Sequence, residues 1–219
     1  MPTQTLDYRE AIAHLRPGDT LILNNVSWGD YEQLLEDRGD SAAVRVGYDH
    51  GSLKILSPSS GHEGYGRSIA HLGRALADAL DLLFEDYGST TYKQKWLQHG
   101  AEPDTCFYVQ NAARIIGVGR IDLDKDPPPD VVVEIDIRHD SQEKFAIYAG
   151  MGVPEFWRYD GEQAHIYLLK GPEYEEVSSS LAFPILTTAA LTQFLEQSKT
   201  EGQTAALRSF REWLRGRKS

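Results

Sequence analysis

The sequence predicts an α/β (α+β) fold in which hairpins and helices occupy separate stretches of a single 219-residue domain. Two stretches, 41–58 and 155–169, carry strand-like segments on both sides of turn residues, as β-hairpins do. Helical periodicity is strongest over 62–84 and returns near the C-terminus. No internal repeat with a period of about 20 to 50 residues is present, which excludes solenoids and propellers. A sheet packed against a few long helices is therefore expected.

The N-terminal third is predicted to form a strand, a short helix, a hairpin and a long helix. The strand covers 20–28, and the helix over 28–39 ends where Gly39 provides a C-terminal cap. The hairpin turns at 49–51, between two segments that alternate apolar and polar residues. The long helix covers 62–84, because its leucines and alanines recur three or four residues apart.

The remaining two thirds contain further strands and three helices. Strands are favoured where β-branched and aromatic residues are frequent, and helices where apolar residues recur every three or four positions. The predicted strands are 90–97, 105–111, 131–137, 155–160 and 164–169, and the predicted helices are 141–151, 187–198 and 204–215.

Composition limits the classes of function that remain. A net charge of −11 argues against a broad basic surface for nucleic acid, although Arg208, Arg211 and Arg215 form a local basic patch that could contact phosphates. The alternative for these arginines is a solvated helix face. Cys106 is the one cysteine, so an intrachain disulfide is excluded, and no apolar stretch is long enough to cross a membrane. The protein is expected to be cytoplasmic and soluble.

The predicted strand 131–137 is unusual because it carries carboxylates on one side. Side chains alternate along a strand, so Asp130, Glu134 and Asp136 point one way, and branched apolar residues at 131, 133, 135 and 137 point the other way. Carboxylates two residues apart lie roughly 6 to 7 Å apart, close enough to share a hard cation such as Mg²⁺ or Mn²⁺. The alternative is that this acidic face simply meets water, as in many antiparallel sheets.

The helix that follows this strand places a lysine in its first turn. Asp140 can serve as the N-cap, with Glu143 three residues later in a capping-box arrangement, which leaves Lys144 close to the helix start. A cation there opposes the helix dipole at a cost of a few tenths of a kcal/mol. A salt bridge to the acidic strand face, or a catalytic role for the ammonium, would offset that cost.

Several linked motifs resemble those of the Uma2 family, also catalogued as a domain of unknown function with a restriction-endonuclease fold. Together they cover most of residues 20–215. The motifs are SPSSGHEGYGRSIAHL at 57–72, EPDTCFYVQN at 102–111, PPDVVVEIDI at 128–137, YAGMGVPEFWRYDG at 148–161 and TEGQTAALRSFREWLR at 200–215.

The resemblance implies a PD-(D/E)XK nuclease core, with a mixed central sheet flanked by helices, that binds Mg²⁺ (Mn²⁺ is possible) and cuts DNA. It places the metal-binding and catalytic acids at Asp104, Glu134 and Glu63, and the catalytic lysine at Lys144. Asp136 departs from the signature, because it stands two residues after Glu134, where the signature has lysine. Asp136 is therefore a further candidate metal ligand, and three carboxylates crowd the site.

The resemblance also suggests boundaries and a second set of residues. Strands and a hairpin over 1–56 would form an α/β extension, 57–170 the nuclease-like core, and 171–219 a helical appendage. Homodimerisation is expected, as for many nuclease domains, with 153–160 and the hairpin strand after it as the apolar surface. Asp130, Tyr148, Lys93 and Lys95 are expected at the rim of the site.

Two of these assignments leave alternatives open. Lys93 or Lys95 could replace Lys144, or both could lie on an exposed strand face. His62 is expected to be a surface or capping residue. For the whole chain, the alternative to an endonuclease is a nuclease-fold module without activity that binds nucleic acid or protein.

Overall fold

The computed structural model describes residues 12–39, 43–137 and 141–217, and within these ranges it contains two β-sheets and six α-helices. The strands are β1 Thr20–Leu23, β2 Arg45–Asp49, β3 Ser52–Leu56, β4 Glu85–Asp86, β5 Tyr92–Gln94, β6 His99–Ala101, β7 Thr105–Tyr108, β8 Val131–Ile135, β9 Glu155–Tyr159, β10 Ala164–Lys170 and β11 Glu173–Val177. The helices are α1 Trp28–Arg38, α2 Ser60–Leu80, α3 Ala112–Ile115, α4 Lys144–Gly150, α5 Thr188–Glu201 and α6 Gln203–Arg215. The predicted mixed α/β class is confirmed.

The first sheet has the order β1-β3-β2-β6-β5 and is antiparallel throughout. Its predicted hairpin is confirmed, with His50 and Gly51 as a two-residue loop in which both residues have positive φ, 45° and 93°. A loop of this kind matches the twist of the flanking strands. Strands from the predicted N-terminal extension thus pair with β6, which comes from the predicted core; the division of the chain at 56 and 170 stays a prediction.

The second sheet has the order β11-β10-β9-β8-β7-β4 and is mixed, because β8 and β9 run parallel while the other pairs are antiparallel. Strand β8 lies between β7 and β9 and is buried along its whole length. Val131, Val133 and Ile135 pack into one core, and Val132 packs into a second core on the opposite face. The idea that the acidic face meets water is therefore wrong: Glu134 and Asp130 are each only 4% exposed.

The long helix α2 ends at Leu80, four residues before the predicted end. Asp81 takes the left-handed conformation and caps it, and Phe84 then packs back against the helix at Gly73, where an added Cβ would lie 3.2 Å from the ring. Helix α4 begins at Lys144, three residues after the predicted start at Ser141. The predicted N-cap Asp140 and its neighbour His139 lie outside the described residues.

Sequence reasoning missed several short elements, among them the four-residue helix α3. The predicted strand 90–97 stops at Gln94, a 3-10 turn follows, and Gln98 with φ 53° redirects the chain into β6. Strand β11 was missed because it is glutamate-rich and mostly exposed, so it lacks the apolar alternation of a strand. The two-residue β4 is too short to give a pattern. The two C-terminal helices are confirmed within a few residues.

The predicted dimer surface differs from expectation. The segment 153–160, predicted as an apolar dimer surface, is largely internal, with Phe156 and Trp157 at most 1% exposed. Exposed apolar side chains lie elsewhere, at Trp96 and Ile22 among others. None of the helices in the described ranges is long and apolar enough to cross a membrane.

Candidate active site

Two candidate metal ligands lie opposite each other where β7 approaches β8. Thr105 pairs with Val133 in the antiparallel ladder, so the preceding Asp104 faces Glu134. The Asp104 amide donates to the Val133 carbonyl at 3.0 Å, and the charge of Asp104 acts on the Glu134 carboxyl, so the two acids lie close together. Directly opposed residues have Cβ atoms about 4.5 to 5.5 Å apart. The sheet register therefore brings both carboxylates to one place.

Glu134 is held by two side chains from helix α4. The Lys144 ammonium donates to both carboxylate oxygens, at 2.8 and 2.7 Å, and the Tyr148 hydroxyl donates to Oε1 at 2.8 Å. Lys144 and Tyr148 are four residues apart, so they lie on the same face of the helix. Burial, together with the charge of Asp104, raises the pKa of Glu134 to about 7 against the opposing effect of Lys144.

Lys144 remains an ammonium in this environment. Burial alone would lower the pKa of Lys144, but the charges of Glu134 and Asp104 outweigh burial and raise it. Its Nζ also lies 3.4 Å from the main-chain oxygen of Glu102. The predicted contact between the first-turn lysine and the acidic side of the strand is thus present.

Asp104 is held by helix α2 and by the neighbouring strand. Its Oδ2 accepts from the Ile135 amide at 2.8 Å and lies 2.7 Å from His62 Nε2. Burial would lower the pKa of His62, but the hydrogen bond and charge of Asp104 raise it overall. The expectation that His62 is a surface or capping residue is wrong: its side chain is 8% exposed and contacts a predicted catalytic acid.

The negative charge of Asp136 is neutralised by a cation of its own. Its Oδ2 accepts from Arg158 Nε at 2.6 Å and from the amide and hydroxyl of Ser141 at 3.0 and 2.9 Å. These contacts direct Asp136 towards the segment that leads into α4. Asp136 thereby holds the start of the helix that carries Lys144.

Glu63 lies one residue beyond His62 in the first turn of α2 and is paired with an arginine of the first sheet. Arg45 Nη2 donates to Glu63 Oε1 at 2.5 Å, and Arg45 is only 6% exposed. The contact to Asp104 is made by His62, not by Glu63. All four carboxylates therefore have a cationic or histidine partner, in the pairs Asp104–His62, Glu134–Lys144, Asp136–Arg158 and Glu63–Arg45.

The predicted rim residues divide between this site and other places. Tyr148 belongs to the site through its contact with Glu134. Asp130 accepts from the amides of Val109 and Asn111 at 2.7 and 2.9 Å. It lies four residues from Glu134, or roughly 13 Å along an extended chain. Its visible role is to fix the loop that follows β7.

The basic candidates lie outside the carboxylate cluster. Lys93 donates to Glu32 at 2.8 Å, and Lys95 lies in the 3-10 turn; both line a cleft beside helix α1. Arg208, Arg211 and Arg215 are exposed on α6, which packs inwards through a different face. The contacts of that inner face are made by Ala206, Phe210 and Leu214.

The donor atoms of the cluster suit a hard divalent cation. Asp104 and Glu134 offer only oxygens, which Mg²⁺ and Mn²⁺ prefer, and the Lys144 ammonium lies against both oxygens of Glu134, a position that favours positive charge. A cavity of about 20 Å³ adjoins Glu134, His62 and Lys144. That is room for about one water. A bound ion would therefore compete with Lys144 for the oxygens of Glu134.

Four partners of the predicted acids were not assigned from the sequence. Arg158 is the one charged side chain inside β9 between Glu155 and Tyr159, and the parallel register places it beside Glu134. That isolated charge among aromatic residues could have indicated a buried acidic partner. His62 and Arg45 gave no such indication, because their partners lie 42 and 18 residues away in the sequence. Ser141 precedes the helix, and its contact depends on the loop conformation.

Comparison with known proteins gives a family match and matches among solved structures. A family model named Uma2, described as "Putative restriction endonuclease", matches residues 28–198. A solved structure from Anabaena variabilis, described as "a putative nuclease belonging to DUF820", aligns with a TM-score of 0.47 and 17% sequence identity, and covers 68% of this chain and 90% of that one. No curated protein matches significantly.

Proposed function

The chain belongs to the Uma2 family, and on that premise we propose that it is a Mg²⁺-dependent endonuclease that hydrolyses phosphodiester bonds in DNA. The observation that carries the proposal is the position of Asp104, directly before β7, close enough to Glu134 on β8 for its charge to act on that carboxyl, with the Lys144 ammonium on Glu134. Two neighbouring carboxylates can hold a divalent ion, and an adjacent ammonium can stabilise the charge that develops on a phosphoryl group.

Asp104 and Glu134 would hold the ion, with Mn²⁺ as a possible substitute. A bound divalent ion supplies charge to polarise the scissile phosphate and lowers the pKa of a bound water. His62 and the Ile135 amide orient Asp104, and Tyr148 orients Glu134. These three groups act as positioning groups, because they contact the carboxylates rather than the phosphate.

Lys144 is proposed to stabilise negative charge on the phosphoryl oxygens. Its raised pKa keeps it protonated, which suits a hydrogen-bond donor and excludes it as a general base at neutral pH. We assign Asp136 and Glu63 to support rather than to first contact with the ion, since Arg158 and Arg45 already neutralise them. Asp136 then replaces the lysine of the signature without removing positive charge from the site.

A specific observation favours the second candidate, a module of nuclease fold without activity. Lys144 occupies both oxygens of Glu134, and the adjoining cavity has room for about one water. If this pairing persists in the presence of metal, Lys144 competes with the ion for the oxygens of Glu134 and weakens metal binding there. Metal binding therefore decides between the two candidates.

The test is a calorimetric titration of Mg²⁺ and Mn²⁺ into the full chain, followed by cleavage assays on single-stranded, duplex and branched DNA. We expect binding and cleavage in the unmodified protein, and loss of both in Asp104→Ala and Glu134→Gln. Glu175→Gln, which breaks an exposed ion pair with Lys170, is the matched control and should change neither. Binding without cleavage of any substrate would favour the module.

We further propose that the protein acts as a homodimer in the cytoplasm. Light scattering on the purified protein and fractionation of cells that express it test these two statements. A monomer at concentrations where cleavage is complete would contradict the first.

A further inference from the structure

A second group of potential metal ligands lies at one end of the first sheet. Asp49 ends β2, His50 begins the hairpin loop, and His99 begins β6. Asp49 and His99 are directly paired in the antiparallel ladder between β2 and β6. We propose that these three residues bind a first-row transition-metal ion, and that Zn²⁺ is the ion their chemistry favours.

The three ligand atoms already converge. Asp49 Oδ1 lies 2.6 Å from His50 Nδ1 and 3.2 Å from His99 Nε2, and all three ligand atoms lie within 4.8 Å of one another. A tetrahedral zinc with bonds of about 2.0 to 2.1 Å places its ligand atoms about 3.3 to 3.4 Å apart. The Asp49–His99 contact is close to this value, and the Asp49–His50 contact must open by under about 1 Å.

The backbone fixes two of the ligands on one rigid turn. His50 adopts φ 45°, a left-handed conformation in which histidine is enriched among residues other than glycine. Its amide donates to the Gln98 carbonyl at 3.0 Å, which ties the hairpin loop to the residue before His99. The His50 ring itself is 67% exposed, so a fourth position remains open to water or another ligand.

His99 is held in place by its surroundings. Its side chain is 11% exposed, and its ring packs against Gly150 at the end of α4, where an added Cβ would lie 3.0 Å from Nδ1. That Nδ1 has no hydrogen-bond partner in the described part of the chain. The polar contact of this ring is therefore made through Nε2, which faces Asp49 and His50.

The donor set differs from that of the candidate active site. Two imidazole nitrogens and one carboxylate oxygen suit Zn²⁺, Co²⁺ or Ni²⁺, whereas the oxygen donors of Asp104 and Glu134 suit Mg²⁺. Within the described ranges, one group of three histidine or acidic side chains has ligand atoms close enough to share an ion. It consists of Asp49, His50 and His99. The proposal does not depend on nuclease activity.

The test uses the full chain, stripped of metal, with Glu134→Gln and Lys144→Met together as the background, so that the candidate active site does not contribute and neither charge of that buried pair is left alone. Zn²⁺ is titrated by calorimetry, and Co²⁺ by the visible absorption that low-coordinate nitrogen and oxygen sites give. We expect one equivalent to bind, and His50→Asn and His99→Gln to weaken binding by about tenfold or more. Asparagine suits the left-handed position, so His50→Asn should leave the loop intact.

His165→Asn is the matched control. His165 also contacts two carboxylates, but Glu176 meets its Nδ1 at 2.8 Å and Asp160 its Nε2 at 3.4 Å, on opposite sides of the ring. This arrangement cannot converge on one ion, so the substitution should leave affinity unchanged. Absence of Zn²⁺ binding, or binding that survives His50→Asn in a protein with unaltered circular dichroism, would overturn the proposal. If His99→Gln fails to fold, the His50→Asn result decides alone.

Discussion

The buried pair Glu134–Lys144 gives the sharpest test of the site's energetics. Both side chains are almost fully buried, at 5% and 12% exposure, and they form two hydrogen bonds with each other. We expect Lys144→Met and Glu134→Gln each to lower the free energy of unfolding by about 3 kcal/mol, because each leaves one buried charge without its partner. The double variant should lose much less than their sum.

The magnitude follows from how a lone Glu134 can respond. In Lys144→Met the carboxylate can escape burial by taking up a proton, and for a carboxyl with an ordinary pKa of 4.5 this costs at most about 3 kcal/mol at pH 7; because the pKa of Glu134 is already raised beside Lys144, the loss lies below that limit. Protonation therefore sets an upper limit near that value. In the double variant neither charge remains, so the coupling energy of the cycle should reach about 2 to 3 kcal/mol.

The assay is urea unfolding with a chelator present, followed by circular dichroism for all four proteins of the cycle. Lys170→Met and Glu175→Gln form the matched control cycle, since that pair is 55% and 60% exposed and should couple by less than about 1 kcal/mol. Strictly additive losses at Glu134 and Lys144 would refute the view that the two charges compensate each other.

Three further predictions concern other buried groups. Burial raises the pKa of Glu155, so this carboxyl keeps its proton to a higher pH in the folded state than in the unfolded chain. The stability that depends on this proton is therefore present below about pH 4.5 and is lost as the pH rises through the raised pKa. Glu155→Gln should therefore flatten the fall in unfolding free energy as the pH rises above about 4.5, measured by urea titration; an unchanged slope would contradict this. Arg158→Met should destabilise the protein by about 3 kcal/mol, because Asp136 is left buried without its cation, whereas a loss under about 0.5 kcal/mol would mean that Ser141 alone satisfies Asp136. Tyr31→Phe should be neutral or stabilise by about 1 kcal/mol, since the buried hydroxyl lacks a hydrogen-bond partner in the described ranges; a clear thermal destabilisation would show that the hydroxyl has one.

The sequence predicted those helices and strands whose residue patterns are complete within a short stretch of chain. The hairpin at 49–51 and the long helix α2 were predictable, because alternation and three-to-four-residue recurrence are local properties. The burial of both faces of β8 was not, because it depends on the parallel neighbour β9 and on two packed cores. Strand β6 was also not predictable, because it follows the left-handed conformation of Gln98, which no residue periodicity indicates.

The candidate site divides in the same way. Glu134 and Lys144 are ten residues apart, and their contact could be anticipated from a strand followed by a helix with a lysine at its start. The partners of the other three acids could not, since tertiary packing brings each of them from a separate element. Asp136 shows the limit most clearly: the sequence indicated a third carboxylate in a crowded site, and Arg158, 22 residues later, neutralises it.

The four acid–base pairs of the site can form only when the chain is completely folded. Their positive partners come from β2, α2, α4 and β9, and the paired residues are 18, 42, 10 and 22 positions apart. Contacts across such separations form only after the intervening chain has been closed into place. A nascent or partly unfolded chain would hold isolated carboxylates without their cations, and it would lack the arrangement on which the proposed chemistry depends. Full activity and full tertiary structure should therefore be lost together when the protein is titrated with denaturant.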